Sequence, residues 1–409
     1  MVATAISPLA PAAFPDLPAI AGVKLHTATL GIRYKGRPDV LLAELAPDTQ
    51  VAGVFTTSTT ASAAVRWGRE ALKGGTARAF FVNAGNSVAF TGKAGEKFVA
   101  DKVEAASKAL GCAKTEIFTA STGVIGEPTT ANRITDALGD LLANEAGWLD
   151  AAKAIMTTDT FPKGASATAT INGKTVTIAG IAKGSGMIAP NMATMLSYVF
   201  TDAAIAPALL QELLEDITDE TFNSITVDGD TSTSDTLMVF ATGACGMSPI
   251  TSSDDPRFEV LADALHAVCL ELAHLIVKDG EGASKFVTIT VKGAVSSQSA
   301  KIMACEIANS PLIKTAMAAG DANWGRVVMA VGKSLEPIRM DELSIWFDDV
   351  LVAQNGSRAP DYSEAAASAV FAKPEFTITV DAGVGDQSHT VWTCDLTHGY
   401  VDINGAYRT

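Results

Sequence analysis

The fold class this sequence predicts is α/β, with strands and helices arranged in two domains or two large lobes. Three observations lead there. The chain has 409 residues, enough to bury a large core and beyond the size at which one core usually stops growing. Apolar residues make up 48% of it and charged residues 18%, a balance that suits a packed interior and excludes a disordered chain. Short apolar runs of strand character also recur along it, separated by amphipathic stretches of helical period.

Charge and composition exclude several function classes. The net charge of −15 argues against a nucleic-acid or anionic-membrane partner, since both need a basic surface. The five cysteines, at 112, 245, 269, 305 and 394, form no C-x-x-C pair and no zinc spacing. They read as reduced, mostly buried thiols of a cytoplasmic protein. The five histidines are dispersed too, so no metal is expected. Pro8, Pro11, Pro15 and Pro18 interrupt the N-terminus, and no Lys or Arg precedes Lys24. That stretch reads as an extended arm, not as a secretory signal. No run of 18 uninterrupted apolar residues occurs, and no membrane span is expected.

Taken in order, Val51 to Thr57 reads as a strand and Phe80 to Asn86 as a buried strand ending in a polar turn. Gly95 to Leu110 is an amphipathic helix with Phe98, Val99, Val103 and Ala106 on one side, stopped by Gly111. Ile117 to Thr122 is a short strand running into Gly123. Backbone N–H groups exposed at such a Thr-Gly strand end can cradle an oxyanion; the plainer reading is a β-turn. Thr130 to Ala154 is helical with a break near Gly147. Ser166–Ile171 and Lys174–Ile178 flank Asn172-Gly173, the signal of a two-residue hairpin. Phe222–Val227 and Leu237–Thr242 read as strands around the polar loop from Thr226 to Asp235. That loop lacks the D-x-D-x-D-G frame and closing Glu of a calcium site, so it is expected to line or brace a site. Asp255 to Val277 is a long helix that delivers Lys278-Asp-Gly-Glu281-Gly-Ala-Ser-Lys285, a carboxylate between glycines. Phe286–Val291, Leu343–Val352, Phe376–Val380 and Thr390–Leu396 are strands, and the aromatic and amide-rich tail to Thr409 is expected to dock.

The most informative stretch is 183–202. Glycines and Pro190-Asn191 force a loop, and Ala193-Thr194 opens the apolar run Met195 to Phe200. A small residue followed by Thr at such a junction is what an internal, self-cutting N-terminal nucleophile needs. Cleavage would leave Thr194 with a free amine whose pKa, about 8 in reference peptides, suits a general base for its own hydroxyl. Gly184-Ser-Gly186-Met-Ile-Ala189 also fits G-x-G-x-x-A, a dinucleotide fingerprint. A βαβ crossover needs a helix after the glycines, however, and Pro190-Asn191 interrupts that space. A Gly-rich surface turn stays open on spacing alone.

Seven separated motifs, in order, resemble one family. They are Ser121–Pro128, Thr157–Lys163, Lys183–Leu196, Thr226–Asp235, Lys278–Lys285, Asn323–Arg326 and Asn404–Thr409. The chain is similar over nearly its whole length to the ornithine acetyltransferases, also called glutamate N-acetyltransferases, of arginine biosynthesis. The resemblance implies a DmpA/ornithine acetyltransferase-like self-processing fold, two lobes with mixed sheets and flanking helices. It also implies cleavage between Ala193 and Thr194 into an α chain (1–193) and a β chain (194–409), paired as an α2β2 heterotetramer. The implied activity is acetyl transfer from N2-acetylornithine to glutamate through acetyl-Thr194. No bound cofactor is implied, and acetyl-coenzyme A is an optional co-substrate. Thr194 would be the nucleophile and Thr122 with Gly123 the oxyanion hole. Thr160, Lys183, Glu281, Asn404 and Thr409 would contact substrate. The alternative within this fold is an N-terminal-nucleophile amidohydrolase or aminopeptidase. Two departures stand out: Ser-Val-Ala-Phe at 87–90, which bears on pocket access, and His398-Gly399, which bears on packing of the tail.

Overall fold

A computed structural model describes residues 5–189 and 195–406. Its strands are β1 (Val23–Ala28), β2 (Val40–Phe55), β3 (Thr76–Asn86), β4 (Ile117–Val124), β5 (Lys163–Ile171), β6 (Lys174–Lys183), β7 (Leu196–Thr201), β8 (Ile225–Thr226), β9 (Thr236–Ala241), β10 (Phe286–Ala294), β11 (Ser344–Phe347), β12 (Val350–Gln354), β13 (Ser357–Arg358), β14 (Glu375–Asp381) and β15 (Gln387–Cys394). The helices are α1 (Ala63–Ala71), α2 (Gly92–Leu110), α3 (Asn132–Asp136), α4 (Leu138–Ala143), α5 (Trp148–Ile155), α6 (Pro207–Glu220), α7 (Pro256–Lys278), α8 (Ser297–Ala308), α9 (Pro311–Ala319), α10 (Trp324–Lys333), α11 (Glu364–Phe371) and α12 (His398–Ala406). The expected α/β class holds, in two mixed sheets with flanking helices.

The first sheet runs β4-β3-β2-β9-β7-β6-β5, with β1 also on β2. The long β2 serves three partners. Its first half pairs with β1 and β3, and Gln50–Phe55 pairs with β9. β7 and β9 run parallel to each other and lie between β2 and β6. The 193/194 junction therefore does not divide the molecule into sheets, because strands from both sides of it alternate in one ladder. Asn172 and Gly173 both take positive φ, 50° and 74°, the geometry a two-residue turn between β5 and β6 requires.

Both faces of this sheet are covered, which is why its central strands are apolar at nearly every position. Val199 and Val239 face α6 and α7, while Tyr198, Phe200, Met238 and Phe240 point to the other side with α5 and the arm residues Leu17 and Ile20. α1 to α4 close the β3–β4 end. α7 is long and apolar enough to cross a membrane by length and composition, but here it is a core helix packed on β5 and β6. Asp255 caps it by accepting from Arg257 N, Pro256 opens it, and its inward stripe includes Leu261, Leu265, Val268, Leu272 and Ile276.

The second sheet, β13-β12-β11-β14-β10-β15-β8, buries its own core against α8, α10 and α11. Two expectations are corrected here. Leu343–Val352 is not one strand but the hairpin β11–β12, because Asp348 turns the chain at φ 46°. Phe222–Val227 is largely a helical turn, with only Ile225–Thr226 in a strand. Thr221 Oγ1 donates to Ile217 O and Ser224 Oγ to Asp219 O, and these side-chain bonds prolong the end of α6.

Gly180 of β6 packs directly against Leu272 of α7. A Cβ there would lie 3.0 Å from both Leu272 Cδ1 and Val199 Cγ2. Gly180→Val is expected to cost about 1–3 kcal/mol through overpacking. A lowered thermal midpoint with unchanged far-ultraviolet circular dichroism checks it; an unchanged midpoint contradicts it.

Candidate active site

A cavity of about 590 Å³, its open mouth included, lies at the junction of seven segments. One wall is the end of β4. β3 and β4 pair in parallel with Gly85 opposite Gly123. A Cβ on Gly123 would stand 2.5 Å from the Gly85 carbonyl carbon, and Gly123 itself sits at φ 122°, so only glycine fits. The buried Thr122 stands beside it, and Ser87 and Ile125 complete this wall. Ser87 donates to Val124 O through both its N and its Oγ.

Opposite lie Lys183, at the end of β6, and the turn Thr157-Thr158. Lys183 Nζ is 3.3 Å from Thr157 Oγ1. Burial lowers the pKa of this ammonium, against the pull of Asp159, Asp235 and Glu281, while Lys163 lowers it further. Asp159 fixes the turn from behind, accepting from Thr157 N, Gly184 N and Lys163 Nζ at 2.9, 2.7 and 2.7 Å. Burial alone would raise its pKa, but Lys163, Lys183 and these hydrogen bonds hold it below the usual carboxylate range. Lys163 is shared with Asp279 at 2.5 Å. Burial and the neighbouring Asp159 push the Asp279 carboxyl up, so Asp159 carries the firmer charge of the two.

Glu281 enters from the loop after α7. Its N donates to Ser185 O at 2.8 Å, and its Oε2 accepts from Asn404 Nδ2 of α12 at 2.7 Å. A Cβ on Gly186 would come within 2.4 Å of that same oxygen, so glycine is what lets the carboxylate lie across the loop. Burial raises the pKa of Glu281, with Asn404, Thr158 and Lys183 opposing. The loop itself is clamped from the other side. Asp228 accepts from Met187 N and Ile188 N at 2.6 and 2.9 Å, holding Met187 at φ 58°. On the far side of the junction, Met195 N donates to Asp235 Oδ1 at 3.0 Å. Ser232, Thr233 and Ser234 line the remaining edge.

Residues 24–409 match the ArgJ family. The chain belongs to the ArgJ family. It is 55% identical over 413 residues to the arginine biosynthesis bifunctional protein ArgJ of Bradyrhizobium diazoefficiens, covering 100% of both chains. Identity to the protein of the same name from Agrobacterium fabrum is 54% over 413 residues, again covering 100% of both. Among solved structures, the arginine biosynthesis bifunctional protein of Bacillus halodurans is similar with a TM-score of 0.51 and 39% identity, covering 52% of this chain and 100% of that one.

Of the residues the family resemblance singles out, Thr122, Gly123, Lys183, Glu281 and Asn404 line one cavity. Ala193, Thr194 and Thr409 lie outside the described residues. Thr160 is elsewhere: its Oγ1 donates to Asp279 and accepts from Ser7 N of the N-terminal arm, and Thr157 and Thr158 take the lining positions. The loop 226–235 both lines and braces the site. The Asp228 carboxylate is already occupied by backbone N–H groups, which accounts for its failing the calcium pattern. The His398-Gly399 departure proves to be a fit. Gly399 packs on Gly282, where a Cβ would strike Gly399 and Tyr400 backbone, and Thr397 Oγ1 donates to Gly282 O. Ile125, Met187 and the bracing Asp159 lie inside quoted motifs that did not single them out, and Ser87 opens the departure at 87–90 that bears on pocket access.

Lys163→Met strips the buried Asp159 and Asp279 of their shared cation. Breaking such a pair costs about 3–5 kcal/mol, so the thermal midpoint is expected to fall by several degrees. A variant as stable as wild type would show that the cluster does not brace the loop.

Proposed function

We propose that this chain is an acyltransferase of arginine biosynthesis that moves an acetyl group from N2-acetylornithine to glutamate. The observation that carries the reading is the convergence of Thr122, Gly123, Lys183, Glu281 and Asn404 on one cavity from segments on both sides of the 193/194 junction. Cleavage there frees the Thr194 amine, which takes the proton from Thr194 Oγ as the oxygen attacks the acetamide carbonyl. Thr122 and Gly123 stabilise the resulting oxyanion, an effect of about 3 kcal/mol per donor. The C–N bond breaks, the proton passes to the departing ornithine amine, and an acetyl ester remains on Thr194. The glutamate amine then attacks that ester and restores the hydroxyl. Nucleophile, base and oxyanion donors are all protein groups, so this sequence of steps calls for no metal and no bound cofactor.

Donor and acceptor share an α-carboxylate, for which the buried Lys183 is the anchor. Glu281 takes the side-chain ammonium of ornithine, and Asn404 orients Glu281. Thr409 belongs to the same substrate-contacting set by family position, whereas Thr160, bonded to Asp279 away from the cavity, is a bracing residue. The α and β chains stay together, since β7 and β9 sit between β2 and β6, and two such pairs form the α2β2 assembly. The five cysteines are free thiols, which suits the cytoplasm. Acetyl-coenzyme A, the optional co-substrate that the family resemblance implies, enters the test as a separate arm.

Initial rates at varied acetylornithine and glutamate are expected to give the parallel double-reciprocal lines of ping-pong transfer. Intersecting lines, or acetate release indifferent to glutamate, would contradict it; the latter would make the protein a hydrolase. Product formation from acetyl-coenzyme A and glutamate decides the second donor.

The Glu281 assignment has its own test. Because its pKa is raised, lowering the pH protonates this group earlier than an ordinary carboxylate, so KM for acetylornithine should rise as pH falls while KM for glutamate rises less. Glu281→Gln should raise the acetylornithine KM by about tenfold or more, the worth of a charge-assisted bond, and flatten that profile. Equal effects on acetylornithine and acetylglutamate would overturn the assignment.

A further inference from the structure

Lys102, in the middle of α2, is fully buried, and among the described residues no carboxylate pairs with it. The other inward residues of this helix are Phe98, Val99, Val103 and Ala106, and a buried ammonium costs several kcal/mol that an apolar side chain would avoid. What the lysine supplies is donors. Nζ is 3.0 Å from Asn83 Oδ1 and 3.3 Å from Ala120 O, and it faces the Phe81 and Phe98 rings at 4.9 and 5.9 Å. These π faces favour the cation, whereas burial pushes the pKa of the amine well below its usual value; charged or neutral, Nζ has the two donors that these contacts use.

Both hydrogen bonds lead to the wall that carries Thr122 and Gly123. Asn83 Oδ1 also accepts from Ser121 Oγ at 2.8 Å, and Ser121 directly precedes Thr122. Asn83 Nδ2 donates to Asn86 O at 3.1 Å. Asn86 in turn accepts from Val88 N and donates to Glu127 O, at 2.9 and 2.7 Å. One buried amine thus ties α2 to β4 just before the Thr-Gly pair and to the end of β3 just after Gly85. Those are the two strands whose glycines touch.

We propose that Lys102 is a positioning residue for acyl transfer, holding the ends of β3 and β4 so that the Thr122 hydroxyl and the Gly123 N–H present their donors to the oxyanion. The inference rests on the oxyanion role proposed for that pair. A misplaced donor loses transition-state stabilisation while leaving ground-state binding alone, so the effect belongs in kcat.

The test is a double-mutant cycle of Lys102→Met and Thr122→Ala, with kcat and KM measured for both substrates. Lys102→Met is expected to lower kcat by about tenfold or more, to leave both KM values within about twofold, and not to lower the thermal midpoint. In the Thr122→Ala background it should cost little more, since it acts through Thr122. An unchanged kcat, or losses that simply multiply, would overturn the proposal while leaving the oxyanion role standing. A Thr122→Ala enzyme with full kcat would instead remove the oxyanion role, and this inference with it. Should Lys102→Met fail to accumulate, Ser121→Ala, which removes one bond of the same network, carries the cycle with the same outcomes.

Discussion

The arrangement of strands across the 193/194 junction is the constraint on which the rest depends. β6 ends at Lys183 and β7 begins at Leu196, and the two pair antiparallel with Lys183 opposite Leu196. The chain between them must therefore leave the sheet and return to its own starting point. On the outward path it is held by Asp159 at Gly184 and by Asp228 at Met187 and Ile188, and on the return by Asp235 at Met195. Fixing both ends so firmly confines whatever chemistry occurs between them to one place, beside Lys183 and the Thr122–Gly123 wall. Because β9 flanks β7 on its other side and pairs with β2, a broken peptide bond in the loop would not release either piece.

Buried charge does the positioning around that loop. Lys163 bridges Asp159 and Asp279, joining the turn before β5 to the end of α7. The arm closes over the same cluster, with Ser7 Oγ donating to Lys278 O at 2.6 Å and Ser7 N to Thr160 Oγ1 at 2.9 Å. Such groups gain little stability over an apolar core of the same shape, but each accepts or donates in fixed directions. The Asp159 carboxylate can orient Gly184 N and oppose the loss of charge that burial favours at Lys183, in a way that packing alone cannot. The same logic extends to Lys102 beneath the opposite wall.

Local features of this architecture were legible in the sequence and non-local ones were not. Asn172-Gly173 announced its hairpin because a positive φ at two successive positions depends on those two residues alone. Gly111 marked a helix end for a similarly local reason. β1 and the first half of β2 went unread, since their apolar pattern is short and β2 changes partner at a bulge near Asp48. Thr160 and Thr157 could not be told apart within one motif, because which faces the cavity depends on Asp279, 119 residues away. Likewise nothing near Gly186 in sequence shows that the Glu281 carboxylate lies across it. The loop from Asp228 to Asp235 was legible in kind, as a bracing turn, but its targets at Met187 and Met195 are tertiary.

Intact mass spectrometry of purified protein, with Thr194→Ala beside it, under native and denaturing conditions and after incubation with N-acetylornithine, is the most direct test of the central claim. The account predicts one native complex that denaturation resolves into two pieces, the second beginning at Thr194 and heavier by one acetyl group after incubation. The Thr194→Ala chain should stay whole and unmodified. An uncut wild-type chain without an acetyl adduct, or pieces that separate without denaturation, would contradict it.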